Sequence, residues 1–166
     1  MIAYKFLHEG AVSPFAGLRW PVDEWVEASA VDPCRRGIHA CRLRDLPFWL
    51  SAELWKIELD GDVVEHERKV VAPRGRLVRR LDAWNRELVE SFGWDCHART
   101  KVRFGSIPDL SGFVVDIERF LSTGRVPLAA FAAARAAERT GGPRAYERER
   151  LRQAAWLADR LGLCAV

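Results

Sequence analysis

Residues 53–71, ELWKIELDGDVVEHERKVV, carry the strongest local signal in the chain and set its fold class. Trp55, Ile57 and Leu59 alternate with Lys56 and Glu58, the two-residue period of a strand with one buried face. Asp60-Gly61 reads as a two-residue hairpin turn, because both positions tolerate positive φ. Such a turn places Leu59 opposite Asp62, Ile57 opposite Val64 and Trp55 opposite His66. It also pairs Lys56 with Glu65 on the other face. A hairpin over about residues 53–72 is therefore the expected centre of a small antiparallel sheet.

Working outward, IAYKFL (2–7) predicts a first strand and EWVEA (24–28) another short one. The texture changes near Pro73. From Arg76 to about Ser91, Leu77, Leu81, Trp84 and Leu88 recur at helical spacing, with Arg79, Arg80, Arg86 and Glu90 as a solvated face. Ser111 suits the cap of a helix bearing Phe113, Ile117, Phe120 and Leu121. Pro127 suits the first turn of an Ala-rich helix running to residue 139. TGGP (140–143) breaks it, and Pro143 opens a last helix to about Leu161.

The expectation is a single α+β domain over residues 1–166. A β-rich part, about 1–73, packs against a helical part, about 74–166. In the last helix, Trp156 falls among Glu149, Arg152, Asp159 and Arg160 at 100° per residue. An indole there either stacks on arginine or an intrachain loop, or anchors a partner, including a homodimer through this helix.

At 166 residues the chain is long enough for one core burying roughly two-thirds of its unfolded surface. Composition is globular, with 49% hydrophobic and 30% charged residues, and no run approaches the ~18 apolar residues of a membrane span. The start, MIAYKFLHEG, lacks the features of a signal peptide, so a cytoplasmic location is expected. There Cys34, Cys41, Cys96 and Cys164 stay reduced, and a disulfide framework is not expected. The net charge is +3 and the cations are nearly all Arg. Lys occurs only at 5, 56, 69 and 101. With abundant Ala, this fits GC-rich coding better than a nucleic-acid footprint, which is a concentrated basic patch.

CRRGIHAC (34–41) concentrates candidate chemistry. Cys34, His39 and Cys41, with Cys96 or His97 from elsewhere, offer the N/S donor set of a structural zinc, but the spacing lacks paired knuckles. No cofactor is therefore expected, with zinc the runner-up. His39 and Cys41 are two apart and share a side of an extended chain, which suits an acid/base or nucleophilic pair. In the purely structural alternative, Gly37 turns the chain and the cysteines are small buried hydrophobes.

Seven Trp are unusual, and five of them fall at or before Trp84. Trp20, Trp49 and Trp55 are candidate walls of a small-molecule pocket. In APRGRLVRR (72–80), Arg74, Arg76 and Arg80 are candidate anion contacts at a helix start. His8 is a candidate loop ligand or structural residue, and His66 is expected against Trp55.

YKFL (4–7), the Cys-x-x-Gly-Ile-His-Ala-Cys signature and LWKIELDG (54–61) together resemble an uncharacterised family of actinobacteria and phages, over about residues 4–82. FAAARAAERTGG and ERERLRQAAWLADRLGL resemble the helical tail of its actinobacterial members. The resemblance implies that residues 34–41 act as a unit, and carries no activity. A Gly-centred turn with His, a short helix and a strand entering ELDG is also similar to part of the ADP-ribosyltransferase pattern, though no catalytic Glu is assignable.

Overall fold

A computed structural model describes residues 1–33 and 35–163. It has antiparallel sheets in the N-terminal half and helices in the C-terminal half, an α+β fold as the patterning predicts. The chain forms two compact units, Met1–Trp84 and Asn85–Gly162. The β part thus runs on to Trp84, beyond the change of texture at Pro73.

The β unit contains β1 (Ile2–Leu7), β2 (Trp25–Glu27), β3 (Ile38–Ala40), β4 (Glu53–Asp60), β5 (Val64–His66), β6 (Lys69–Ala72) and β7 (Arg74–Arg80). A 3₁₀ turn, Leu43–Phe48, precedes β4. One sheet has the order β1-β4-β7-β2 and the other β3-β6-β5. The strands expected at IAYKFL and EWVEA are β1 and β2.

The register predicted for the Asp60-Gly61 hairpin does not form. β4 lies between β1 and β7, and its tight partner is β7, with Asp60 opposite Arg74 and Leu59 opposite Gly75. Residues 61–73 leave that sheet, and β5 pairs with β6 instead, setting His66 opposite Lys69. His66 therefore does not face Trp55. Lys56 lies opposite Tyr4 and Arg79, while Glu65 takes Arg42 at 2.6 Å. The cause is burial: Val70, Val71 and Ala72 are completely buried, and so continuous an apolar run needs cover on both faces. Gly61 still turns, at φ +83°, but where it stands a Cβ would meet Pro73 Cγ at 2.5 Å. The turn and the returning proline pack directly on one another.

The helix expected from Arg76 is also corrected. Residues 74–80 are strand β7, with Gly75 and Leu77 buried. Leu81 and Trp84 recur at helical spacing only because a turn follows the strand, where the Trp84 N–H donates to the Leu81 carbonyl at 2.9 Å. The first helix, α1 (Arg86–Phe104), starts at Asn85, whose side-chain oxygen accepts from the Leu88 N–H. At β7, a Cβ on Gly75 would lie 2.6 Å from Ile38 Cγ2 and 3.2 Å from Ile57 Cδ1. The two sheets close on each other there, over a core that includes Leu7, Trp20, Ile57, Leu59, Val70 and Leu77. Burying each large side chain stabilises by about 1.5–3 kcal/mol.

The helical unit adds α2 (Pro108–Ser122) and α3 (Val126–Arg160). α2 begins ahead of Ser111, whose hydroxyl instead donates to the Pro108 carbonyl. α3 has Pro127 in its first turn and loses helical geometry at Gly141 and Gly142, the break that TGGP predicts. Ala129, Ala130, Ala133, Ala134, Ala136 and Ala137 are buried, and Gln153 donates to the Ala130 carbonyl at 2.9 Å. Trp156 is half-buried rather than a free anchor. Its ring lies 5.4 Å from that of the fully buried Phe92, with the Arg160 guanidinium 5.5 Å away. The exposed indole of this unit is Trp94.

Candidate functional site: an aromatic, cationic cavity beside the 37–41 turn

Gly37 has φ +123°, and a Cβ there would sit 2.4 Å from Val71 Cγ1. Only glycine fits both the backbone and the space. The turn feeds β3, which pairs with β6, His39 opposite Val71. Cys41 then exchanges both backbone hydrogen bonds with Tyr4, at 2.9 and 2.7 Å. β3 is thereby pinned between the second sheet and β1, with Ile38 and Ala40 buried and His39 half-buried.

Beside β3 opens a cavity of about 780 Å³. Its apolar walls include Tyr4, Phe6, Trp20, Phe48 and Trp49, with Phe15 nearly fully exposed at the tip of the loop that folds over it. The polar groups on the wall include Lys5, Arg35, His39 and Lys69, together with His8, whose Nδ1 is 3.2 Å from Ser51 Oγ. The indoles are held by their N–H groups: Trp20 donates to Ser13 Oγ at 2.8 Å and Trp49 to the Arg68 carbonyl at 2.6 Å. Fixed this way, each presents a rigid apolar face.

Glu53 positions the loop. Its two carboxylate oxygens accept from the Gly10 and Ala11 N–H groups and from Trp55 Nε1, and Arg80 lies 3.2 Å away. Burial works to raise its pKa, but the hydrogen bonds and the Arg80 charge outweigh it and hold the carboxyl below its usual range. Ala11 takes a left-handed φ of 58° under this restraint.

The site's electrostatics follow from burial among cations. Lys5 Nζ donates to the His39 carbonyl at 2.6 Å and lies 4.9 Å from the Trp20 ring centroid. Burial lowers its pKa to about 8, partly opposed by Cys41. His39 is shifted down by burial and then by Lys69 and Lys5, against a hydrogen bond to the Pro33 backbone and the charge of Asp32. Its Nε2 is buried without a hydrogen-bond partner among the described residues. At neutral pH the imidazole is therefore neutral and can accept or relay a proton. Cys41 is the opposite of an activated thiol: burial, reinforced by Asp45, pushes its pKa far up. The His39–Cys41 pair is brought to one cavity, but the thiol is held protonated.

Of the other sequence-predicted residues, Trp20 and Trp49 line the cavity. Trp55 does not: it is buried in the core with its N–H on Glu53. Arg74, Arg76 and Arg80 are also not in it, nor at a helix start. They lie along β7, where Arg74 pairs with Glu27 and Asp60, Arg76 with Glu58, and Arg80 with Glu53 and Asp82. Cys34 and Cys164 lie outside the described residues. Cys41 and Cys96 are buried in different units, and among the described residues no three His, Cys, Asp or Glu side chains gather as a metal group. Burial also pushes the Cys96 thiol up to about 12. No helix of the described residues is long and apolar enough to cross a membrane.

Sequence patterning missed Lys5, Lys69 and the wall of Tyr4 and Phe48. One signal was available: in a chain so rich in Arg, Lys5 interrupts an otherwise apolar strand, IAYKFL, and a lysine there must reach a polar outlet.

The fold and site define an α+β protein whose β unit opens an aromatic, cationic cavity beside β3. The chain belongs to the family DUF7666, a domain of unknown function, whose model matches residues 1–88. That span coincides closely with the β unit and contains the whole cavity lining. No curated protein and no solved structure matches the chain.

Proposed function

We propose that the β unit binds a small molecule in the cavity beside β3, with neutral His39 as its hydrogen-bonding or acid/base group. The observation that carries this reading is an aromatic-walled space of about 780 Å³ with His39 in its lining, the ring's buried Nε2 having no hydrogen-bond partner among the described residues. A buried polar atom left without a partner is costly, and a small turn of the ring toward the cavity lets a ligand group supply the missing bond. The volume suits a drug-sized molecule, and rigid indoles with a few polar groups are the usual lining of such sites. Glu53, holding the covering loop, and Gly37, aiming β3, are positioning residues.

The test is titration of the full chain with N-phenyl-1-naphthylamine, an uncharged aromatic fluorophore, followed by dye emission and by the histidine ring resonances in NMR. Dye emission rises and the His39 signals shift, while those of His66, outside the cavity, stay in place. A bound dye that leaves His39 unmoved, or no binding, overturns the reading.

A further inference from the structure

Resting on that small-molecule reading, we infer that the cavity selects an organic anion: an aromatic ring that lies against the indoles, carrying a carboxylate or phosphate that meets Lys5 and Lys69. The lining includes Lys5, Arg35 and Lys69 and contains no Asp or Glu. Among the described residues none of the three has a carboxylate within ion-pair distance. Four arginines outside the cavity behave differently. Arg42 is held by Asp45 at 2.5 Å and Glu65 at 2.6 Å, and Arg74, Arg76 and Arg80 each have carboxylate partners. These four arginines, which tie elements of the unit together, are neutralised; the three cations of the cavity wall are not.

Lys5 is the more telling of the two. Among the described residues its ammonium is met by the His39 carbonyl and the Trp20 face, both weaker partners than an anion. Lys5 Nζ sits on the His39 carbonyl and Lys69 adjoins Val70, the partner of Ala40, so both lysines flank β3 in the cavity wall. An anion arriving there gains charge-assisted hydrogen bonds in a partly desolvated place, where they are stronger than in water. The apolar wall excludes small hydrated anions as good ligands, because they leave the indole faces uncovered. An aromatic acid satisfies both halves of the lining.

The experiment compares two dyes on the full chain: 1-anilinonaphthalene-8-sulfonate, whose sulfonate stands in for the carboxylate or phosphate, and N-phenyl-1-naphthylamine, which lacks it. The sulfonate binds roughly tenfold tighter, the equivalent of about 1.4 kcal/mol. Lys69→Met and Lys5→Met each remove most of that preference, read as the ratio of the two dye affinities within the same variant. Far-ultraviolet circular dichroism checks that each variant folds. Should Lys5→Met not fold, the half-buried Lys69→Met carries the comparison. Equal affinity for the two dyes, or a variant that weakens both alike, overturns the anion inference while the cavity stands. If neither dye binds, the small-molecule reading falls as well.

Discussion

The ammonium of Lys5 donates to the backbone carbonyl of His39 at 2.6 Å, tying β1 to β3 across 34 positions of sequence. This amine has a pKa of about 8 in the folded protein against an ordinary 10.5, because burial penalises its charge. Between those values the unfolded chain holds more protons than the folded one. Stability attributable to Lys5 therefore rises with pH from about 8 to 10.5, by up to roughly 1.4 kcal/mol per unit. Urea midpoints of the wild type and Lys5→Met, measured from pH 7 to 10, diverge in the wild type's favour as pH increases. Parallel profiles would show that the amine titrates normally.

Cys41 is expected to be inert. Its thiol is buried and its pKa lies far above neutrality, so almost no thiolate forms at pH 7.5. Iodoacetamide followed by peptide mass mapping leaves Cys41 unmodified in the folded chain and alkylates it in urea. Cys96 behaves alike, its thiol being pushed up to about 12. Rapid native alkylation at Cys41 would restore it as a nucleophile.

Glu53 carries the loop over the cavity, and its loss is expected to be severe. Glu53→Ala strands two backbone N–H groups, an indole N–H and a nearby arginine, at a cost of about 3 kcal/mol or more. Glu53→Gln keeps one acceptor and costs less. The folded carboxyl titrates below its usual range, so its contribution is present above the unfolded pKa and lost as pH falls through the folded one. Acid unfolding followed by circular dichroism is accordingly shallower in Glu53→Gln than in wild type, relative to each protein's neutral stability.

Much of this architecture is legible in local pattern, and the rest is hidden for definable reasons. IAYKFL and EWVEA announce strands by composition, and TGGP announces a break because Gly142 must take a left-handed φ and Pro143 cannot continue a helix. The Asp60-Gly61 signal is also real, since Gly61 turns. What it lacks is a partner: a turn dipeptide does not say whether the chain pairs at once or returns after an excursion through β5 and β6. Leu77, Leu81 and Trp84 mislead because a strand followed by a tight turn reproduces helical spacing. At the site, residues 34–41 stand out through Gly37 and His39. Lys5, Lys69 and Phe48 come from distant stretches, and nothing local marks their convergence. The Arg74–Arg80 cluster has the reverse fault, conspicuous in sequence but neutralised in space by Glu27, Glu58, Asp60 and Glu53.

Gly37 is the position at which fold and site meet, and its substitution separates their contributions. At φ +123° any L side chain is strained, and a methyl group there would lie 2.4 Å from Val71 Cγ1, inside the closed β3–β6 pairing. Strain and clash together predict a loss of about 2–5 kcal/mol for Gly37→Ala. Adding Val71→Ala removes the methyl that is struck but leaves the backbone strain, so the double variant recovers the steric part only. Its total loss is then smaller than the sum of the two single losses, a coupling that thermal melts of the four proteins measure directly. Because Gly37 also aims His39, the surviving strain shifts the imidazole's ring resonances even where the double variant remains folded. Additive losses with an unshifted His39 would mean that the turn relaxes freely, and that Gly37 does not set the site's geometry.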